Sequence, residues 1–171
     1  MDNVLSLGVG EPDYAPPQKV LDAAIKSLEN KETSYTSNAG LLPLRTAIRK
    51  WYGKRYGVDY TENEMMLTVG ASEAIDLAMR VLLDEGDEVL IPDPSYVAYA
   101  AEVKLNKGVA VMVPTHLEEG FKITPAAIEK AVTPKTKVLL MGYPSNPTGA
   151  ILTRKELEGI AEVVKNMTSS L

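Results

Sequence analysis

Short apolar runs alternate with helical segments from residue 65 onward, and this alternation limits the possible folds more than any other feature. The runs are MMLTV (65–69), EVLIP (88–92), GVAVMVP (108–114) and KVLLMG (137–142). Continuous apolar runs of this length are typical of strands that are covered on both faces of a sheet. Because helical patterns separate the runs, the sequence predicts an α/β fold in which crossover helices join parallel strands.

Helical periodicity and end signals predict the helices around these strands. Pro17 suits a first helical turn, where its missing N–H has no intrahelical partner. Thr124 followed by Pro125 is typical of a capped helix start, and Thr153 with Glu156 three residues later forms a capping-box signature. The predicted helices cover residues 17–29, 42–56, 72–83, 95–105 and 124–132, and a last helix opens at Thr153.

Composition excludes several classes of function. The 171 residues carry a net charge of −5, which argues against a nucleic-acid or anionic-membrane surface. The chain has no cysteine and a single histidine, His116, so disulfides, thiolate or multi-histidine metal sites and histidine triads are not expected. No run approaches the roughly 20 apolar residues that span a bilayer, and the start lacks a signal-peptide pattern. The sequence predicts a soluble cytoplasmic protein without metal, membrane or nucleic-acid partners.

The loops after the strands are the places to search for chemistry, because open α/β sheets bind ligands at the carboxyl ends of their strands. In VGASEA (69–74), Gly70 permits a tight turn, and a helix is predicted to begin at Ala71 or Ser72. The free amide N–H groups of a helix N-terminus attract an anion such as phosphate, and the serine hydroxyl adds a donor. An ordinary turn with a serine cap explains the same residues.

Two proline-rich loops present polar or aromatic side chains. PDPSYVAY (92–99) holds Tyr96 just past a strand, where the ring can stack on a flat ligand or pack against the loop's own prolines. In GYPSNPTGA (142–150), Asn146 precedes a proline and is therefore biased towards extended backbone, with its carboxamide at the strand end. A plain connection into the next helix explains the prolines of this loop, but not the asparagine.

The opening segment LGVGEPDYAPP (7–17) contains Gly8 and Gly10, which suggest a dinucleotide-binding fingerprint. The third glycine is missing, however, and Pro12 would break the helix that this motif must open. We therefore reject that interpretation. Gly10 either lets the backbone approach a ligand closely or makes a turn.

Taken together, these segments resemble the N-terminal part of the class I/II aminotransferases, the fold-type-I pyridoxal-phosphate enzymes that include aspartate aminotransferase-like proteins. LGVGEPDY, YTSNAGLLPLRTAI, VGASEAIDLA, PDPSYVAY and YPSNPTGA occur in the family's order and at its spacing, over almost the whole chain. The resemblance implies an incomplete large domain, with a mainly parallel sheet and crossover helices on both faces. Residues 1–39 would form an N-terminal arm and small-domain helix, and residues 40–171 a truncated large cofactor-binding domain.

The resemblance implies pyridoxal 5'-phosphate as the cofactor. Asn146 matches the asparagine that hydrogen-bonds the cofactor's phenolic oxygen, and Tyr96 matches the aromatic residue that stacks on its ring. Gly70, Ala71 and Ser72 match the helix N-terminus that binds the phosphate.

Two further matches concern the partner subunit and the substrate. Tyr35 matches a tyrosine that reaches the phosphate of the neighbouring subunit's cofactor in a homodimer, and Gly10 matches a glycine near the substrate carboxylate. The implied reaction is the transfer of an amino group between an amino acid and a 2-oxo acid, as part of amino-acid metabolism.

The chain departs from the family pattern because no lysine lies in the Ser-x-Ser-Lys-like setting of the Schiff-base lysine, which follows well after the NPTG segment. The aspartate that pairs with the pyridine nitrogen and the arginine that binds the substrate carboxylate are also expected later. No catalytic residue is therefore assigned, and this chain alone is expected not to transaminate. The alternatives are a non-catalytic cofactor-holding or dimerisation half-domain and a nucleotide-binding α/β domain. A sheet that lacks later strands also predicts an open edge and association with another chain.

Overall fold

The structure, a computed structural model, describes residue 8 and residues 10–168, apart from the side chains of residues 167 and 168. The chain divides into two compact units, Met1–Leu67 and Thr68–Leu171. The boundary expected between residues 39 and 40 is a boundary between the domains of the family that the chain resembles, not between compact units, and it stays a prediction.

The first unit contains the two helices that the sequence predicts, α1 (Gln18–Glu29) and α2 (Leu42–Tyr56), followed by a short 3-10 turn at Glu62–Glu64. Pro17 occupies the N-cap position of α1, immediately before the first helical residue, whereas the sequence analysis places it in the first turn. Helix α1 has no buried residue, so its apolar stripe is exposed.

The second unit is an α/β layer built on three parallel strands, β1 (Glu88–Asp93), β2 (Val109–Pro114) and β3 (Thr136–Leu139). The strand order is β2-β1-β3, so β1 is central and each outer strand has one edge without a strand partner among the described residues. The helices of this unit are α3 (Gly70–Leu82), α4 (Ala98–Leu105), α5 (Pro125–Ala131) and α6 (Arg154–Thr168), and a second 3-10 turn spans Leu117–Glu119. No helix within the described part of the chain is long and apolar enough to cross a bilayer.

Both faces of the sheet are covered, as the continuous apolar runs predict. Successive strand residues point to opposite faces, so Leu90 lies on one face of β1 while Val89 and Ile91 lie on the other. Leu90 belongs to a buried cluster with residues of α5 and α6, and Val89 and Ile91 belong to a cluster with residues of α3 and α4. This arrangement confirms the predicted α/β fold class.

The predicted strand over residues 65–69 does not form. The N–H of Leu67 donates to the carbonyl of Ala39 at 3.1 Å, and the N–H of Val69 donates to the carboxylate of Glu73. No described strand pairs with this run. An apolar run supplies only a preference for extended backbone, whereas a strand also needs a neighbour whose backbone groups satisfy its own. The other strands and helices are confirmed with ends shifted by a few residues, most at α4 and β3.

The capping box predicted at the start of α6 is present. The N–H and hydroxyl of Thr153 donate to Glu156 Oε2 at 2.6 and 2.7 Å, and the N–H of Glu156 donates to Thr153 Oγ1 at 3.3 Å. Lys122 Nζ donates to the other carboxylate oxygen of Glu156 at 2.8 Å. The bond from Lys122 and the bonds from Thr153 lower the pKa of the Glu156 carboxyl from 4.5 to about 2.

Glu156→Gln is expected to reduce the loss of stability on acidification. Because the pKa of Glu156 is lower in the folded chain, its charged form stabilises the fold fully above pH 4.5, and this contribution disappears as the pH falls towards about 2. Thermal unfolding at about pH 6 and about pH 3 measures the difference. Glu158→Gln, which removes an exposed carboxylate paired with exposed Arg154, is the control, and its loss of stability on acidification is expected to equal that of the unsubstituted chain. Equal acid sensitivity of Glu156→Gln and the unsubstituted chain would contradict the assignment.

Candidate functional site

An open cleft of about 410 Å³ lies in the second unit, where the segment before α3 meets the loops that follow β1 and β3. Because parallel strands end at the same edge, residues far apart in the sequence meet there. The structure brings together five residues that the sequence analysis singles out, Gly70, Ala71, Ser72, Tyr96 and Asn146. The full lining consists of Val69, Gly70, Ala71, Ser72, Ile75, Tyr96, Tyr99 and Asn146.

The start of α3 forms one wall of the cleft. Gly70 has φ +81°, a conformation that glycine adopts without strain, and its N–H donates to the carbonyl of Thr68 at 3.0 Å. The amide groups of Ala71 and Ser72 come next, and the first amide groups of a helix have no acceptor within the helix. Gly70 therefore shapes the turn, and the roles of Gly70, Ala71 and Ser72 in binding a phosphate stay predictions.

Ser72 lies inside α3 rather than at its cap. Val69 occupies the N-cap position, and no side chain caps the helix. The alternative interpretation of this segment as a turn capped by serine is therefore wrong, because the helix begins at Gly70, three residues earlier than a cap at Ser72 requires. The hydroxyl of Ser72 remains on the cleft wall beside its own amide group.

Tyr96 lies between β1 and α4, and the residue is 38% exposed. The ring contacts Tyr99 edge to face, with centroids 5.6 Å apart and an interplanar angle of 80°. Both tyrosines line the cleft. The structure therefore offers an aromatic ring that is open to a ligand and supported from one side.

Asn146 lies on an anchored loop after β3. The N–H of Ser145 donates to the carbonyl of Ala150 at 2.8 Å, and the N–H of Gly149 donates to the carbonyl of Ser145 at 2.8 Å. Earlier in the loop, the hydroxyl oxygen of Tyr143 accepts from the N–H of Ile123 at 3.1 Å, and its ring packs against the cluster around Leu90. These contacts hold the loop to the sheet layer while the Asn146 side chain remains exposed at the cleft.

Two predicted site residues, Tyr35 and Gly10, belong to the first unit. Tyr35 is fully exposed, and Gly10 is exposed, with no heavy atom of the described residues beyond its chain neighbours within 4 Å of where a Cβ would stand. Their roles in binding a neighbouring subunit's cofactor and the substrate carboxylate stay predictions.

The sequence analysis overlooked three lining residues, Val69, Ile75 and Tyr99. Tyr99 was detectable in principle, because it follows Tyr96 by three residues at the start of a helix, and side chains at that spacing are neighbours.

The described residues that line the cleft offer polar and aromatic groups without formal charge. None of the described residues that line it carries a charge at neutral pH. Its lining contains the first residues of a helix, a serine hydroxyl, two tyrosine rings and a carboxamide. This set of groups fits a ligand that combines a flat ring with an anionic group.

Comparisons with known proteins give the chain its family. The sequence pattern of the family described as aminotransferase class I and II matches residues 2–169. A putative aminotransferase of Bacillus subtilis, YugH, is 49% identical over 166 residues, which are 96% of this chain and 43% of that protein. An aspartate aminotransferase of Geobacillus stearothermophilus is 46% identical over 161 residues, which are 94% of this chain and 41% of that protein.

A solved structure agrees with these relatives. The crystal structure of an aromatic aminotransferase from Pyrococcus horikoshii OT3 matches with a TM-score of 0.93 and 42% identity, over 96% of this chain and 44% of that one. The chain thus spans less than half the length of the relatives that it matches. The resemblance inferred from the five sequence motifs is confirmed, and the parallel sheet with its helices covers part of the corresponding fold. This chain belongs to the family of class I and II aminotransferases.

Proposed function

We propose that the cleft binds pyridoxal 5'-phosphate as part of an aminotransferase that moves an amino group between an amino acid and a 2-oxo acid. The observation that supports this proposal most strongly is the meeting of the α3 N-terminus, Tyr96 and Asn146 around one cleft. These groups come from segments separated by more than twenty residues, and each suits a different part of the same ligand.

The fit can be described group by group. The amide groups of Ala71 and Ser72, with the serine hydroxyl, donate to the phosphate at the positive end of the helix dipole. Tyr96 stacks on the pyridine ring, and the carboxamide nitrogen of Asn146 donates to the ring's phenolic oxygen. When bound, pyridoxal phosphate supplies an electron-withdrawing ring that stabilises negative charge on the carbon that exchanges the amino group.

The residues of this chain orient the cofactor, and none of those described on the cleft wall is a lysine. In our proposal, three catalytic groups belong to a region that corresponds to the part of the relatives that this chain does not span. They are the Schiff-base lysine, the aspartate beside the pyridine nitrogen and the arginine that binds the substrate carboxylate. By itself the chain binds the cofactor without transaminating, as a cofactor-holding half-domain would. The complete enzyme is proposed to be a cytoplasmic homodimer in which Tyr35 reaches the partner's phosphate and Gly10 lies near the substrate.

Binding measurements with matched ligands test the proposal. Isothermal titration of the chain with pyridoxal phosphate is expected to show saturable binding that inorganic phosphate competes away. Adenosine monophosphate carries the same anionic group on a different ring, and it is expected to bind no more tightly than inorganic phosphate. A rise in melting temperature with the nucleotide but not with pyridoxal phosphate would favour the nucleotide-binding alternative.

Asn146→Ala is expected to lower the affinity for pyridoxal phosphate by about tenfold, because a hydrogen bond to a charged or partly charged oxygen contributes about 1.5 kcal/mol. The melting temperature is expected to stay unchanged, since this side chain is exposed. Asn30→Ala, which deletes an exposed carboxamide at the end of α1, is the matched control and leaves affinity unchanged. If Asn146→Ala binds like the unsubstituted chain, the role assigned to this asparagine is wrong.

A further inference from the structure

We propose that Tyr99 is a positioning residue that holds the ring of Tyr96 in place, and that position 142 is glycine because the Tyr99 phenol occupies the space of its side chain. The inference rests on the proposed function where it concerns the ligand, and on geometry alone where it concerns the two rings. Neither Tyr99 nor Gly142 is among the residues to which the sequence analysis gives a role.

Tyr99 is held by the sheet layer. It lies in the first turn of α4 and packs against the buried cluster formed by Met79, Val89, Ile91 and Val103. Its N–H donates to the carbonyl of Tyr96 at 3.1 Å, which ties the helix start to the preceding loop. Tyr99 is therefore fixed by the core, whereas Tyr96 is 38% exposed.

The two rings meet in a favourable geometry. The interplanar angle of 80° and the centroid separation of 5.6 Å describe an edge-to-face pair, an arrangement in which the positive edge of one ring meets the negative face of the other. Such a contact favours one rotamer of an exposed ring, because the other rotamers do not make the contact. The orientation of Tyr96 therefore depends on where Tyr99 lies.

Gly142 leaves the space that the Tyr99 hydroxyl occupies. A Cβ at this position would stand 2.8 Å from the Tyr99 hydroxyl oxygen and 3.8 Å from the adjoining ring carbon. Apart from the chain neighbours of Gly142, no other heavy atom of the described chain would lie within 4 Å of it. Gly142 is not among the glycines with positive φ, so its backbone conformation admits other residues. The need for glycine is therefore steric and comes from one atom of one side chain.

The arrangement sets the spacing of the cleft. Gly142 precedes Asn146 by four residues on the loop after β3, and Tyr96 precedes Tyr99 by three on the loop after β1. Tyr99 contacts the ring of Tyr96, and its hydroxyl lies beside Gly142, so it links the segment that carries the ring to the loop that carries the carboxamide. A flat ligand that uses both groups depends on how these two segments are placed.

Three variants isolate the contact. Gly142→Ala is expected to push the tip of Tyr99 aside, because a side-chain tip gives way more readily than backbone, and with it the ring of Tyr96. Tyr99→Phe removes the hydroxyl oxygen, the atom that lies closest to the added methyl group. The ring carbon that carried it remains 3.8 Å from the methyl group, an ordinary van der Waals distance. The double variant Tyr99→Phe/Gly142→Ala is therefore expected to restore the original ring positions.

Binding by the full chain gives the first readout, with pyridoxal phosphate and inorganic phosphate as probes. Gly142→Ala is expected to weaken pyridoxal phosphate binding by about three- to tenfold, the value of an aromatic pair, and the double variant to recover it. Inorganic phosphate is expected to bind all variants equally, since it does not use the rings. A purely structural role would lower both affinities together, and that outcome, or a failure of Tyr99→Phe to rescue, would overturn the inference.

A readout without ligand separates this inference from the proposed function. In spectra of chain labelled with 13C-tyrosine, the Tyr96 ring signals, assigned with Tyr96→Phe, are expected to move in Gly142→Ala and return in the double variant. If they do so while no variant binds pyridoxal phosphate, the proposed function fails and the positioning role stands. If the cofactor binds but the Tyr96 ring signals do not move in the variants at positions 99 and 142, the positioning role fails and the proposed function stands.

Discussion

Ser72→Asp is expected to weaken the binding of pyridoxal phosphate and of inorganic phosphate by about a hundredfold. In the proposed site the phosphate lies against the amide groups of Ala71 and Ser72, so a carboxylate at position 72 places two negative charges a few ångströms apart. At the effective dielectric constant near a protein surface, that repulsion is roughly 3 kcal/mol, about a hundredfold in affinity. Titration of both probes against the variant measures the effect.

The control for this experiment is Ser72→Asn, which has nearly the same size and shape as aspartate and no charge. Its affinity is expected to fall far less. An acidic residue in the first turn of a helix is favourable, so Ser72→Asp is expected to melt no lower than the unsubstituted chain. Undiminished phosphate binding by the folded aspartate variant would show that the anion does not bind at the start of α3, whatever the roles of Tyr96 and Asn146.

Leu90→Ala is expected to destabilise the chain by about 3–5 kcal/mol, the range for truncating a buried leucine that leaves a cavity. Leu90 is 0% exposed, lies on the central strand β1, and packs between the sheet and residues of α5 and α6. Single domains are stable by only about 5–15 kcal/mol, so this loss is a large share of the total. The free energy of unfolding, measured by urea denaturation with circular dichroism, gives the comparison.

Val109→Ala is the matched control for this loss. Val109 is also a strand residue, but it lies on the outer strand β2 and is 46% exposed, so its truncation is expected to cost less than about 1 kcal/mol. Similar shifts of the urea midpoint for the two variants would contradict the placement of the core on both faces of β1.

Local sequence patterns predicted most of the elements, because their causes are local. Thr153 and Glu156 cap α6 through contacts within one helical turn, and the Thr124 side chain accepts from the N–H of Ala127 at 3.2 Å as a helix cap. The run at 65–69 failed as a strand for the opposite reason. Its apolar residues are suited to a sheet, but pairing depends on a neighbour that periodicity does not reveal.

The sequence by itself determined which chemical groups are available, namely the turn at Gly70, the ring of Tyr96 and the carboxamide of Asn146, and it correctly placed the ring and the carboxamide after strands. Only the tertiary structure decided that these groups share one cleft, that Ala71 and Ser72 rather than Gly70 carry the available amide groups, and that Tyr99 lies between two loops. The physical reason is that strand and helix signals act over a few residues. Contacts such as that of Tyr99 with Gly142 join positions 43 residues apart, and they exist only once the sheet has aligned its strand ends.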